Sequence, residues 1–583
     1  MNQDTGPDAM HDNAATLRLA ALEAYAQGNL LTARQHFEAA LAEDPLNADI
    51  LADLASVTLQ SGAADLAHDY ACRALLLEPE HLAGNYALAE ALRALGRFDA
   101  AAARLQTLTE GELGARLRTQ EPALATAAKQ SLLELMMQGQ GREIAVLNPR
   151  SLPLGLRFDL VVKYLYARQR LGLQPAASDI DAKRLYVQHI HLRTGGAEPG
   201  DEARKGSIDD FLSQFDALIA AMAQEGFDPL QAIPYSQENG LPLNGAHRIA
   251  AALAIGCDIA VQFLAGEGGR WDMAWFRTHG FSRDDCDLLL RTWAELKGPQ
   301  ACVVLLWSPV ESHWDALERE IAQSMAIIDA RTVEFARPAF DELVHDIYSF
   351  DWGPKTGANI ARKVDLLTPF APRVRVLFCE LPADSAPELP KQMKVALRDA
   401  YAQVSPVDHF TTLHVTESEA ETAHLMRIFA NRNNLQRLRH RPPLRAELID
   451  MLVEMKATVE ARGIALDDCC VVGSSVLDVL GLRAADDVDF TLKSALRFAQ
   501  FDGGVTHLSP RLDVVSFNYP RSFSDAPALT DDEMIERPSA HFHVRGVRFA
   551  DPRIVLTRKQ HQRRDKDLRD VGLLAGFFDR ENA

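Results

Sequence analysis

The sequence predicts a multidomain chain that is α-helical at its N-terminus and α+β beyond it. Three observations predict this. Residues from about 14 to 110 repeat with a period of 34. From about 156 onward the repeat is gone, and amphipathic helix-length stretches alternate with short apolar runs of strand length. In the last quarter a Gly-Ser pair is followed by three acids set into apolar runs, the pattern of a sheet that carries carboxylates on one face.

Composition bounds the reading. At 583 residues the chain is too long for one core, and three or four domains are expected. Apolar content of 47% and charged content of 24% are those of a globular protein. A net charge of −20 argues against general nucleic-acid binding, which needs a basic footprint, but leaves room for a local basic pocket. Seven cysteines are scattered without a Cys-x-x-Cys pair, so neither a zinc site nor a disulfide framework is expected, and a reducing cytoplasm fits. The polar N-terminus lacks the apolar core of a signal peptide, and no run reaches the ~18–20 apolar residues of a membrane span.

The repeat is read first. Ala21, Ala55 and Ala89 are in phase, as are Gly28, Gly62 and Gly96, and Ala33, Ala67 and Ala101; Pro45 and Pro79 close the first two units. Small residues let two helices approach closely, glycine turns the hairpin, and proline stops the second helix. Period and small-residue positions resemble the tetratricopeptide repeat. The resemblance implies an α-solenoid over 14–110 whose concave face holds a protein partner, with a helical cap and linker over 111–155.

Within 156–297, Lys205–Ile219 reads as an amphipathic helix with Ser207 as its N-cap. A strand follows at Ala232–Tyr235, a turn at Glu238-Asn-Gly240, and then Leu243-Asn-Gly-Ala-His-Arg-Ile-Ala-Ala-Ala-Leu253. Gly245, His247 and Arg248, ahead of an alanine-rich helix, resemble the Gly-x-His-Arg element of the ParB/sulfiredoxin superfamily. The resemblance implies an α+β module whose strand-to-helix turn binds nucleotide phosphate, with Arg248 as a bidentate grip. Asn244 stands where Asp is frequent, and Ala246 stands where sulfiredoxins carry their cysteine, so sulfiredoxin chemistry is not expected. A capped helix start is the alternative reading.

Residues 298–435 read as an α/β module of unknown role. Ala301–Trp307, Val374–Cys379 and Phe410–Thr416 are strand candidates, and Glu417–Phe429 a helix. Trp352–Gly357 lacks the frame of a phosphate loop and reads as a Gly/Pro loop. His409, His414 and His424 lack metal-ligand spacing. Arg437–Arg445, with Pro442-Pro443, reads as a linker.

The C-terminal domain, 446–583, carries the most chemistry. Val471-Val472 runs into Gly473-Ser474, and a short helix later Asp487 and Asp489 alternate with apolar residues. Alternation on a strand points both acids to one face, and Asp513, in Leu512–Phe517, could join them from a neighbouring strand. This order resembles the nucleotidyltransferase superfold. The resemblance implies Asp487 and Asp489 as metal ligands, Asp513 as third ligand or base, and Gly473 and Ser474 as a phosphate grip. It implies two Mg²⁺ ions, which in such sites lie about 3.5–4 Å apart. His541–Phe549 reads as a strand, and after Pro552 a long basic helix is expected. Lys559, Arg563 and Lys566 fall three or four apart, so one face could carry them toward a triphosphate. A solvated basic face paired with Asp565, Asp567 and Asp570 is the equal alternative.

The expected function is Mg²⁺-dependent nucleotidyl or phosphoryl transfer from a nucleoside triphosphate or nucleotide-activated donor. The layout also resembles enzymes of bacterial surface-polysaccharide assembly. A nucleotide-sensing scaffold and a small-molecule kinase centred on His247 and Arg248 are the competing readings.

Overall fold

The computed structural model describes residues 7–138, 144–175, 178, 180–198, 205–349, 354–402, 408–501, 505–515, 529–562 and 564–582. It contains two compact units, Met1–Asn148 with Glu225–Gly245 and Cys257–Gly268, and Pro149–Gln224 with Ala246–Gly256 and Gly269–Ala583.

The first unit begins with antiparallel helix pairs: α1 (Pro7–Ala26) with α2 (Leu30–Glu43), α3 (Ala48–Gln60) with α4 (Ala64–Leu77), and α5 (Leu82–Ala94) with α6 (Phe98–Thr109). The in-phase alanines 21, 55, 89, 33, 67 and 101 have no exposed surface, which is what close helix–helix approach demands. Gly28, Gly62 and Gly96 turn the hairpins at φ of +76°, +83° and +73°. The period ends near residue 110, but the core does not. Two more helices, α7 (Gly111–Gln120) and α8 (Pro122–Gln138), carry Leu117, Ala128, Leu132 and Leu135 into the same apolar cluster as Leu88, Leu92 and Leu105. Leu230 also packs on that cluster. A three-stranded sheet of order β1-β3-β2 completes the unit, with β1 (Ile144–Leu147) antiparallel and β2 (Ile233–Ser236) parallel to β3 (Ile259–Leu264).

In the second unit, α9 (Phe158–Arg170), α10 (Ala182–Thr194), α11 (Ile208–Glu225), α12 (Ala246–Ile255), α13 (Met273–Thr278) and α14 (Arg283–Lys297) precede a four-stranded antiparallel sheet. Ser207 accepts from the Asp210 N–H at the head of α11 (3.3 Å), as its sequence suggests. The sheet has the order β5-β6-β4-β7, from β4 (Ala301–Trp307), β5 (Ala326–Glu334), β6 (Arg373–Glu380) and β7 (Leu413–Val415). All seven residues of β4 are buried, hence its unbroken apolar run. The surrounding helices are α15 (Trp314–Ile321), α16 (Arg337–Tyr348), α17 (Pro354–Leu367), α18 (Leu389–Ala402), α19 (Glu419–Phe429) and α20 (Arg432–Leu438). The expected loop at 352–357 is instead helical from Pro354; residues 352 and 353 lie outside the described residues.

The expected linker over 437–445 also differs. Arg437 belongs to α20, and Arg437 and Arg441 are buried. Arg437 pairs with Asp551 (3.0 Å) and Arg441 with Asp346 (2.7 Å). A charged stretch flanked by prolines resembles a solvated tether; here acids distant in sequence neutralise it and take it inside.

The C-terminal sheet is mixed, with the order β10-β11-β9-β8-β13-β12, from β8 (Cys469–Val472), β9 (Val488–Leu492), β10 (Thr506–Ser509), β11 (Leu512–Val514), β12 (His541–Val544) and β13 (Val547–Ala550). Helices α21 (Ala446–Glu460), α22 (Ser474–Val479), α23 (Ser494–Gln500), α24 (Asp531–Glu536), α25 (Pro552–Gln562) and α26 (Asp565–Asn582) accompany it. The single strand expected over 541–549 is a hairpin, because Arg545 (φ +52°) and Gly546 (φ +78°) form a two-residue turn with both φ positive. The long basic helix after Pro552 is two helices.

Candidate functional site

Local sequence builds the site in four steps. Apolar β8 ends at Val472, and Gly473 turns the chain at φ +70° into α22. A Cβ at Gly473 would lie 2.7 Å from Oδ2 of Asp489, so only glycine lets the turn sit against that carboxylate. Asp478 of α22 then fixes the returning loop, accepting from the Ala485 N–H (2.9 Å) and pairing with Arg445 (2.6 Å). Ser475 donates its hydroxyl to the Asp487 carbonyl (2.8 Å), which sets the entry into β9.

Strand pairing does the rest. β9 runs antiparallel to β8, with Asp489 opposite Val472, and β11 runs parallel to β9, with Asp513 directly opposite Asp489. Asp487 lies one residue before β9 and, two residues from Asp489, on the same face. One carboxylate oxygen from each of Asp487, Asp489 and Asp513 lies within 4.8 Å of the others. All three side chains are partly buried. The sequence-predicted acids therefore converge beside the Gly473-Ser474 turn.

The electrostatics follow from that crowding. Burial, then the charges of Asp487 and Asp513, push the Asp489 carboxyl up to about 6; Arg558 and Lys566 act in the opposite direction. Three oxygen-donor carboxylates that repel one another at this distance are a suitable donor set for a hard divalent cation.

Two neighbours were not legible from motif alone. His507 lies opposite Asp513 across the β10–β11 pair, with Nδ1 2.7 Å from Oδ1 of that acid. A count of strand residues either side of Pro510-Arg511 would have found it. Arg558 is the other. The expected basic face is corrected here: Lys559 is buried and paired with Asp570 (2.6 Å) and Asp567 (3.4 Å), so it holds α25 to α26. Its neighbour Arg558 acts on the acids instead, together with Lys566, which is exposed on α26. Arg563 lies outside the described residues.

The Gly-x-His-Arg element follows β2 in sequence and leads into α12. Gly245, which ends one segment of the first unit, takes a 2.7 Å bond from its N–H to Oδ1 of Asn244. His247 and Arg248 fall in the first turn of α12 in the second unit. His247 places Nε2 2.9 Å from the Tyr186 hydroxyl and packs edge-on against Phe215, with ring centroids 4.7 Å apart. Burial first, then Lys163, Lys205 and Arg193, hold its imidazole well below the ordinary range, so it is neutral. Arg248 is partly buried beside it in sequence. His414 and His424 are buried within the second unit, and the metal-type acid cluster found among the described residues does not include them.

No family model and no curated protein matches the chain. Among solved structures, it is similar to an Arabidopsis OM64 TPR domain, at 17% identity over 21% of this chain and 98% of that one, with a TM-score of 0.18. It is similar to the Yersinia enterocolitica type III secretion chaperone SycD in complex with a translocator peptide, at 20% identity over 22% and 96% of the two chains, TM-score 0.20. It is also similar to a Thermobaculum terrenum O-GlcNAc transferase, at 16% identity over 50% of this chain and 45% of that one, TM-score 0.21.

Proposed function

We propose that the C-terminal sheet carries a Mg²⁺-dependent nucleotidyl- or phosphoryl-transfer site of the nucleotidyltransferase type, and that the N-terminal hairpins recruit a protein partner. The convergence of Asp487, Asp489 and Asp513 beside a turn that only glycine can make is the observation that carries this reading. Asp487, Asp489 and Asp513 would hold the cation. Bound there, Mg²⁺ supplies neutralisation of phosphate charge and acidification of an attacking hydroxyl. Backbone N–H groups of the Gly473-Ser474 turn and the Ser474 hydroxyl bind phosphate oxygens, and Arg558 and Lys566 offset the charge of the polyphosphate. His507, with Nδ1 on one oxygen of Asp513, orients that carboxylate. The donor is a nucleoside triphosphate or nucleotide-activated compound. All seven cysteines are free thiols, which suits a reducing cytoplasm.

The partner reading rests on a cleft of about 900 Å³ lined by α1, α3, the head of α5, the turn at 78–81 and the α7–α8 pair. Asp49, Asp53, Glu78, Glu80 and Glu121 outnumber Arg18 and Arg116 along it, so a basic segment is the complement. The test of the catalytic reading is incubation with Mg²⁺ and each α- and γ-labelled triphosphate. Label transfer that vanishes in Asp487→Asn and Asp489→Asn supports it, and undiminished turnover in either variant refutes it.

A further inference from the structure

A second charged cavity lies in the four-stranded module, for which the sequence offered no role. It encloses about 480 Å³ between α17, α18 and the head of α19. Four cations line it: Arg362, Lys363, Lys394 and Arg398. Two are neutralised by acids, Arg362 by Asp408 (2.7 Å) and Lys394 by Glu417. The remaining acid of the lining, Glu421, lies 3.1 Å from His414 Nε2 and accepts from the Glu417 N–H (2.7 Å).

Lys363 and Arg398 are left over. They are 7% and 9% exposed, and among the described residues neither has a carboxylate within ion-pair distance. Lys363 donates to the Tyr348 hydroxyl (2.5 Å) and lies over the rings of Trp307 (4.6 Å) and Tyr348 (4.7 Å). Arg398 donates Nε and one terminal nitrogen to the Leu413 carbonyl (3.1 and 2.8 Å) and leans over Phe410, which is half exposed at the rim. Burying two cations without an anion is costly, and proteins that do so at a cavity wall commonly complete the charge with a ligand.

We infer that this cavity binds a phosphate monoester, with Lys363 and Arg398 gripping the dianionic head and Phe410 covering its organic part. Two uncompensated cations match two negative charges, which distinguishes a phosphate monoester from a monocarboxylate. The volume suits a sugar phosphate or a nucleoside monophosphate. Burial, then Arg398 and Lys394, hold the Lys363 amine below its ordinary range, and a dianion bound against it would favour the charged form.

The test is titration calorimetry on the full chain in EDTA, with inorganic phosphate, ribose 5-phosphate, ribose and acetate as probes. Both phosphates are expected to bind, ribose and acetate not. Lys363→Met and Arg398→Met should each weaken the phosphates about ten- to a hundredfold, while Asp489→Asn leaves them unchanged. Acetic anhydride labelling of the wild type, read by mass spectrometry, serves should either variant fail to fold: saturating ribose 5-phosphate slows acetylation of Lys363. Absence of phosphate binding, binding undiminished in both variants, or unprotected Lys363 overturns the assignment.

Discussion

Replacing Asp489 by Asn should stabilise the fold while abolishing transfer. The carboxyl rises from its ordinary 3.8 to about 6 because it is partly buried and faces Asp487 and Asp513. A difference of about two pH units corresponds to roughly 3 kcal/mol at 1.36 kcal/mol per unit; with solvent screening of a partly exposed group, about 1–3 kcal/mol is expected. The sign follows from proton counting. Below pH 3.8 both states hold the proton and nothing is lost. Between 3.8 and about 6 the folded state binds more protons than the unfolded one, so stability falls as pH rises, and above about 6 the full penalty remains. Denaturant unfolding of wild type and Asp489→Asn in EDTA, from pH 4 to 8, reads the difference directly. The two should converge near pH 4 and separate by pH 7 with the variant more stable, and added Mg²⁺ should raise the wild type alone. A variant no more stable than wild type at pH 7 would refute the crowding of the three acids.

Three further outcomes are expected. Gly473→Ala places a Cβ against the Asp489 carboxylate at a left-handed φ; it should cost about 1–2 kcal/mol by thermal unfolding and more than tenfold in Mg²⁺ affinity by titration. Arg558→Gln should weaken triphosphate binding about tenfold, whereas Lys559→Met should lower stability by about 1–3 kcal/mol, since it removes the buried cation between Asp567 and Asp570 and leaves them only Arg564 and Arg483. The charge reversals Asp49→Lys and Asp53→Lys should abolish capture of a polylysine peptide by the hairpins, measured by fluorescence anisotropy, without altering transfer to small acceptors.

The most legible parts of the chain were those with local causes. The alanine and glycine phases of the hairpins depend on contacts within one repeat, and so they survive as a period. Asp487, Asp489 and Gly473 were readable because two alternating acids and a turn glycine occur within one stretch of sequence. Asp513 was readable only as a candidate, since the register opposite Asp489 is a long-range fact. Lys559 reads as a solvated charge paired with acids, and its burial escapes the sequence because those partners, eight and eleven residues on, belong to a second helix that begins at Asp565. Arg545-Gly546 reads as strand because arginine is uncommon at positive φ. The core that continues through α7 and α8 has no repeat of its own to mark it.

The buried arginines between the two sheets of the second unit bear on how this protein could be rearranged. Arg437 reaches Asp551, Arg441 reaches Asp346, and the Asn434 side chain accepts from the His543 N–H (2.6 Å). Asp346 in turn accepts from the Arg545 N–H at the hairpin turn (2.9 Å). A segment cut at residue 446 would therefore carry away Asp551 and the β12–β13 hairpin while leaving their partners behind. The three-acid sheet is not a portable cassette: gene fusion or shuffling that transplants it must bring α16 and α20 as well, and the border that its motifs suggest is a border of chemistry rather than of cooperative folding.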